Sequence, residues 1–350
     1  MNDAVALGYL MCLSVATTFA ALLVALARGP LRGTVGARAA YWLWLALPTS
    51  ALALMLPRID WPAGDAAASA PDSIGWVSAQ VTALLRAIHV SRPIAAAVCV
   101  VWAVGVGIAL ARMVHRQRAF VRSLGTLEPL PDGTWRSRAV PEPLLIGALR
   151  PRVLVPFDFE SQYSAEEREF VLAHERAHVR RRDTLVNGLG ALWLCIFWFN
   201  PLMFGAMRLL QFDQDLACDA TVLASAGKGR RGRYAEALLK AQLAGEAALP
   251  LLLASHWGSV HPLRHRIAAL RRPVPGRIRH AIGIICAATL VASAGLAARA
   301  VQPGSLVAPL AVTDANPGIA AGAGRYVVSK VCPLSLRRAR ERQLARVARG

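Results

Sequence analysis

The sequence predicts a mainly α-helical, polytopic membrane protein whose spans flank one small domain built on a metal-ligating helix and a short β-sheet. Three observations carry that prediction. Of the 350 residues, 55% are hydrophobic, and the mean hydropathy of +0.41 exceeds that of an ordinary soluble protein. Four apolar runs, about 3 to 27, 39 to 56, 93 to 113 and 280 to 300, are long enough to cross roughly 30 Å of hydrocarbon. Between the third and fourth runs lies "LAHERAHVRRRD", residues 172 to 183, with a His-Glu-x-x-His spacing that runs directly into a fifth apolar stretch, 184 to 207.

The first run opens "MNDAVALG", with an acid and no basic residue ahead of its apolar core, and is read as a span rather than a cleaved secretory signal. The short loop 28 to 38 carries Arg28, Arg32 and Arg38 without an acid, so the positive-inside rule places it in the cytoplasm. Loop 57 to 92 mixes Arg58, Arg86 and Arg92 with Asp60, Asp65 and Asp72 and suits the outside; "RMVHRQRAFVR" after the third span returns to the inside. Residues 1 to 113 are thus three N-terminal spans, 114 to 279 a cytoplasmic-face domain, 280 to 300 a C-terminal span and 301 to 350 an extracytoplasmic tail. Both termini are then outside.

The formal charge of +19 is almost wholly arginine, lysine occurring only at Lys228, Lys240 and Lys330. These positives sit beside apolar spans, not on a soluble helix, so no direct nucleic-acid partner is expected. None of the six cysteines forms a C-x-x-C pair, and Cys12, Cys99, Cys195 and Cys286 fall in apolar runs as small buried hydrophobes.

"SAEEREFVLAHERAHVRRRD" has its own helix signals. Ser164 with Glu167 makes a capping box, Glu166 and Glu167 suit the positive end of the dipole, and Arg180 to Arg182 the negative end. On such a helix His174 and His178 share a face one turn apart and can reach a single zinc ion. Glu175 lies beside that face, where it can act as general base toward a water polarised by the ion. The reaction class this implies is metal-assisted amide hydrolysis. The alternative is two solvated histidines on a charged helix.

A catalytic zinc site needs a third protein ligand. "QFDQDLACDATVL", 211 to 223, supplies Asp213, Asp215 and Asp219; at helical spacing Asp215 and Asp219 share a face that Asp213 does not. One of that pair can ligate while the other orients a histidine. A straight helix of 24 residues would carry Asp215 about 36 Å away, across the bilayer from His178. Asn200-Pro201 breaks such a helix, so 184 to 207 is expected to be a membrane-embedded hairpin. The basic region Lys228 to Arg233 then stays cytoplasmic. The apolar segments 144 to 146 and 152 to 155, separated by Gly147 and bounded by Pro143 and Pro156, read as strands.

At these residues the chain resembles the BlaR/MecR-type antirepressor membrane metallopeptidases, family 56, whose members sense β-lactams and cleave a cytoplasmic repressor. The resemblance rests on "PEPLLIGALRPRVLVP" (141 to 156), "VLAHERAHVRRRD" (171 to 183), "FWFNPL" (197 to 202) and "DQDLACDATVL" (213 to 223), more loosely on "RYAEALL" (233 to 239) and "HRIAAL" (265 to 270). It implies a gluzincin-like domain with zinc held by His174, His178 and Asp215, Glu175 as base, Asp219 and Asp183 behind the ligands, and an edge strand that pairs with substrate. Family members mostly have Glu where this chain has Asp215, so its backbone has to approach the ion by about 1.5 Å more. No motif fixes an oxyanion stabiliser; Tyr234, His256, His261 and His265 have suitable chemistry, and Tyr234 is the first candidate.

The expected function is therefore a zinc metalloendopeptidase of the bacterial inner membrane acting at the cytoplasmic face on a repressor-like protein. Its other partner is the lipid bilayer, and the sequence leaves room for a homodimer. The alternatives are a non-catalytic membrane signalling scaffold with a degenerate metal site and a housekeeping protease of HtpX type. The tail 301 to 350 is expected to be disordered, too poor in large apolar residues for a penicillin-binding sensor domain.

Overall fold

The computed structural model describes residues 3–56, 92–227, 229–245, 260–272 and 275–300. The acidic loop 57 to 91, Lys228, His256 and the tail 301 to 350 lie outside the described residues. Helices dominate. In chain order they are α1 (Asp3–Val35), α2 (Ala37–Ala40), a 3-10 segment (Tyr41–Leu45), α3 (Ala46–Met55) and α4 (Arg92–Ser123). The strands β1 (Glu128–Pro129), β2 (Trp135–Ser137), β3 (Leu144–Ile146) and β4 (Arg152–Pro156) follow. Beyond them come α5 (Phe159–Gln162), α6 (Ala165–Arg181), α7 (Asp183–Ile196), α8 (Pro201–Ala226), α9 (Arg231–Gly245), α10 (Val260–Leu270) and α11 (Arg277–Ala300).

Among the described residues three helices are individually long and apolar enough to cross a membrane: Ala6–Val35, Pro93–Ser123 and Arg277–Arg299. Their outer faces leave large apolar side chains uncovered, among them Val100, Val101 and Ile108 on α4 and Ile285 and Leu296 on α11. The expected run 39 to 56 is not a single α-helix but the series α2, 3-10 segment, α3. Pro48 lies in the first turn of α3 and cannot donate to the carbonyl of Trp44, which favours the tighter turn just before it. Cys286 departs from the sequence expectation too. It is exposed on the outer face of α11, where Cys12 and Cys195 are buried.

The loop expected at 28 to 38 is instead mostly helix. α1 continues through Pro30 to Val35, and the break falls at Gly36, φ 93°. A side chain there would be strained, and its Cβ would lie 2.5 Å from Pro275 Cγ. Because the helix continues, Arg28 and Arg32 share a face. Both donate to Asp213 of α8, at 2.8 and 3.1 Å, and Trp44 Nε1 adds a bond of 2.9 Å. This cluster, centred on the buried Asp213, ties α8 to the C-terminal end of α1.

A core of Ala20, Val24, Leu43, Trp44, Phe197, Met203, Leu210 and Ala287 joins α1, α3's approach, α8 and α11. A second, of Phe170, Val222, Tyr234, Leu238 and Leu263, packs α6 against α8, α9 and α10. The sheet has the order β1-β2-β4-β3, with β2 and β4 parallel and the outer pairs antiparallel. β3 is therefore an edge strand, anchored through Leu145 opposite Val153, while Val153 and Val155 of β4 pack on Phe159, Tyr163 and Val171. Those contacts set β3 beside α6.

Candidate metal centre

α6 starts as its sequence dictates. The Ser164 side chain accepts from the Glu167 amide, and Glu167 Oε2 accepts from the Ser164 amide at 2.7 Å, a complete capping box. It ends at Arg182, whose φ of 57° makes it the one non-glycine residue at positive φ among those described. That left-handed cap stops α6 and starts α7 at once, folding Asp183 back beneath His178, five residues earlier. At Phe197–Asn200 the chain reverses. Asn200 caps α8 by accepting from the Leu202 amide, with Pro201 at the first helical position.

The reversal brings Asp215 to the histidines. Nε2 of His178 lies 3.2 Å from Nε2 of His174 and 3.6 Å from Oδ1 of Asp215, and ligand atoms of all three lie within 4.8 Å of one another. Donors at zinc distances in a tetrahedral shell are separated by about 3.4 Å. Two imidazoles and a carboxylate at this spacing fit zinc. The shorter Asp215 reaches because the α6–α8 contact is lined by small residues: Ala177, Ala217 and Cys218 are fully or almost fully buried there.

Each imidazole is held from behind. Nδ1 of His178 lies 2.8 Å from Asp183 Oδ2, which also takes Arg181 Nε at 3.2 Å. Nδ1 of His174 lies 3.1 Å from both Asp219 Oδ1 and the Tyr234 hydroxyl. A carboxylate at Nδ1 fixes the proton there and leaves the Nε2 lone pair for an ion. Burial opposes a charge on His178, but the Asp183 hydrogen bond, together with Cys218 and the charge of Glu175, raises the ring's pKa well above its usual value. Burial likewise opposes the Asp219 charge, yet the Arg266 guanidinium holds its carboxyl far below the usual range.

Two residues of the site fall in quoted stretches, Arg266 in "HRIAAL" and Glu142 in "PEPLLIGALRPRVLVP", but are not singled out there. Arg266, on α10, donates to Asp219 at 2.8 and 2.9 Å, and its Nη1 and Nη2 lie 3.7 Å from Asp215 Oδ2 and 3.5 Å from His174 Nε2. A signal existed: Leu263, Arg266, Ile267 and Leu270 share a helix face, and a charge on an apolar face needs a buried partner. Glu142 faces the same cavity, where burial and then the charge of Glu175 push its carboxyl up to about 7.

Tyr234, the first candidate for an oxyanion stabiliser, lines the same cavity. Its hydroxyl donates to Asp219 at 2.7 Å on the Nδ1 side of His174, away from the Nε2 atoms. His265 is exposed against Phe212 and lines a different cavity; the side chain of His261 is outside the described residues. Asp213, as its helical position requires, points elsewhere.

His174, Glu175, His178, Asp215, Glu142 and Arg266 open onto a cavity of about 630 Å³. Its other walls are mostly apolar: Met113, Val114 and Phe120 of α4, Leu189 and Leu192 of α7, Leu238 of α9, and Leu144 and Leu145 of β3. Thr184 Oγ1 and Asn187 Oδ1, from residues on this wall, are buried without a hydrogen-bond partner among the described residues.

The family described as BlaR1 peptidase M56 matches residues 9–270. The regulatory protein BlaR1 of Bacillus licheniformis is 32% identical over 136 residues, 39% of this chain and 22% of that protein. The methicillin resistance mecR1 protein of Staphylococcus aureus is 24% identical over 172 residues, 47% of this chain and 29% of that protein. The chain thus aligns with less than a third of the length of these relatives.

Proposed function

This chain belongs to the BlaR1 peptidase M56 family, and from that premise we propose that it is a membrane-embedded zinc metalloendopeptidase that cuts a cytoplasmic regulator, such as a transcriptional repressor. The observation that carries the reading is the pair of imidazoles whose Nδ1 atoms are each fixed by a buried carboxylate while both Nε2 atoms converge with Asp215. Such a donor set with its supports is built for an ion, and a solvated histidine pair needs none of it.

His174, His178 and Asp215 would hold the zinc, which supplies Lewis-acid polarisation of water and of the scissile carbonyl. Glu175, beside the ligands and open to the cavity, takes the proton of the attacking water and returns it to the leaving amine nitrogen. Asp183 and Asp219 keep the rings in the required tautomer. The free edge of β3 borders the cavity and offers backbone groups to an extended substrate, by β-augmentation. Thr184 and Asn187 supply unpaired polar atoms on the facing wall, which a substrate backbone can satisfy. The mostly apolar walls favour nonpolar side chains around the cut bond. Arg266 offsets the charge of the surrounding carboxylates. On this reading the site works at the cytoplasmic face of a bacterial inner membrane, with the signal and the repressor supplied by the pathway.

Glu175→Gln tests this reading. The purified variant should keep one zinc per chain while its hydrolysis of a reporter protein falls about 10²- to 10⁴-fold; undiminished turnover, or a wild type without zinc that His174→Ala leaves unchanged, sinks it.

A further inference from the structure

A second cavity, of about 250 Å³, lies on the other side of α8 and α10 from the metal centre. Arg32 at the end of α1, Arg272, and Arg279 at the start of α11 line it, with Phe212, Leu216 and Pro275 as its apolar surface. The position is defined by two of the membrane-spanning helices. Arg279 Nη2 donates to the Thr34 carbonyl at 2.8 Å, so the C-terminal end of α1 and the N-terminal end of α11 meet here. Their apolar stretches, Ala6–Val35 and Arg277–Arg299, run away from this point. A ring of arginines where two spans leave the polar layer is at the depth of lipid headgroups.

The charge at this level is unbalanced. Asp213 is shared by Arg28 and Arg32. Asp219 borders the cavity, but its oxygens are taken by Arg266 and Tyr234. Among the described residues neither Arg272 nor Arg279 has a carboxylate partner. Arg272 lies across the end of α1, its Nη1 at van der Waals distance, 3.4 Å, from where a Cβ at Gly33 would sit. The carbonyls at the end of α1 would repel an anion, but Arg279 covers one of them, and the first turn of α11 presents the positive end of its dipole.

We propose that this cavity binds the phosphate headgroup of an anionic membrane lipid, held by Arg272, Arg279 and Arg32 with its glycerol end against Phe212 and Pro275. Basic pockets between spans at the membrane surface recognise phosphate in this way, by charge and by the guanidinium fork. The assignment does not depend on the peptidase reading, since it concerns only the ends of α1 and α11 and the outer sides of α8 and α10.

The test uses the full chain purified in a neutral detergent. Retention of phosphatidylglycerol and of phosphatidylcholine with matched acyl chains is compared by native mass spectrometry, with inorganic phosphate as a third probe. The wild type should retain phosphatidylglycerol about tenfold better than phosphatidylcholine, and Arg272→Gln/Arg279→Gln should lower that retention by about an order of magnitude. Because Arg279 also braces α1, the single Arg272→Gln variant is measured as well and should lose retention about fivefold. Arg271→Gln, an exposed neighbour that does not line the cavity, should change nothing. Equal retention of the two lipids, an equal loss in Arg271→Gln, or full displacement of the lipid by millimolar phosphate with the same dependence on Arg272 would each overturn the lipid assignment.

Discussion

The two histidines of the candidate metal centre are one helical turn apart, yet they are held by different kinds of structure. His178 rests on Asp183, five residues on, through a left-handed cap at Arg182, with only weaker, longer bonds from Tyr41 and Cys218 reaching Asp183 from other helices. His174 rests on Asp219, which comes from α8, is bonded by Tyr234 from α9 and is gripped by Arg266 from α10. One ligand is thus positioned by a neighbour in sequence, the other by three helices that must all arrive. The difference shows how a site can be written partly in a motif and partly in a fold.

Substituting the two supporting carboxylates separates these modes. Asp219→Asn should weaken zinc binding about 10- to 100-fold and also destabilise the metal-free protein by about 3 to 5 kcal/mol, because Arg266 is left buried with half its pairing gone. Asp183→Asn should weaken zinc binding by a similar factor but cost much less stability. Its other charged partner, Arg181, has a side chain 20% exposed and can turn to water. Competition titration with a zinc chelator and thermal unfolding of metal-free protein give the two readouts. Equal losses of stability would erase the proposed contrast.

Replacing a ligand is the reference for both. Asp215→Ala should abolish stoichiometric zinc at concentrations that saturate the wild type, since two protein ligands remain where three are needed. The helix connections should survive, because Asp213, two residues away, still binds Arg28, Arg32 and Trp44. Retention of zinc in Asp215→Ala, seen by metal analysis, would move the third ligand elsewhere.

What was legible in the sequence follows the same division. Ser164, Glu167 and the spacing of His174 and His178 act within one helix, where periodicity determines which atoms meet. Asp215 could be inferred only by asking which acid could return to the same ion, and Asn200-Pro201 marks where the chain reverses. Arg266 lies about 90 positions from His174, and nothing in its own neighbourhood says what an arginine on an apolar helix face will pair with. Tyr234 shows the same limit: its chemistry suits two roles, and its bond to Asp219 comes from another helix that the motifs do not specify. The loop expected at 28 to 38 failed differently, because local proline and glycine signals yielded to the buried Asp213 that draws Arg28 and Arg32 onto one helical face.

Glu142 offers the smallest and most selective probe, because it joins the sheet side of the cavity to the helix side without contributing a ligand. Burial, with Glu175 and Asp215 adding like charge, raises its carboxyl to about 7 against an ordinary 4.5. In metal-free protein the folded state therefore keeps a proton between those values that the unfolded chain gives up. Its contribution to stability is full below about 4.5, declines as pH rises through 7 and is flat above, where the ionised carboxylate sits at a cost. Glu142→Gln removes the titration, so the difference in melting temperature between variant and wild type should grow in the variant's favour from pH 5 to pH 7.5. A bound dication would favour the ionised form and pull the transition down; zinc should therefore shrink the difference. A difference that is independent of pH, with or without zinc, would remove Glu142 from the electrostatics of the site and leave its carboxylates to be balanced by Arg266 alone.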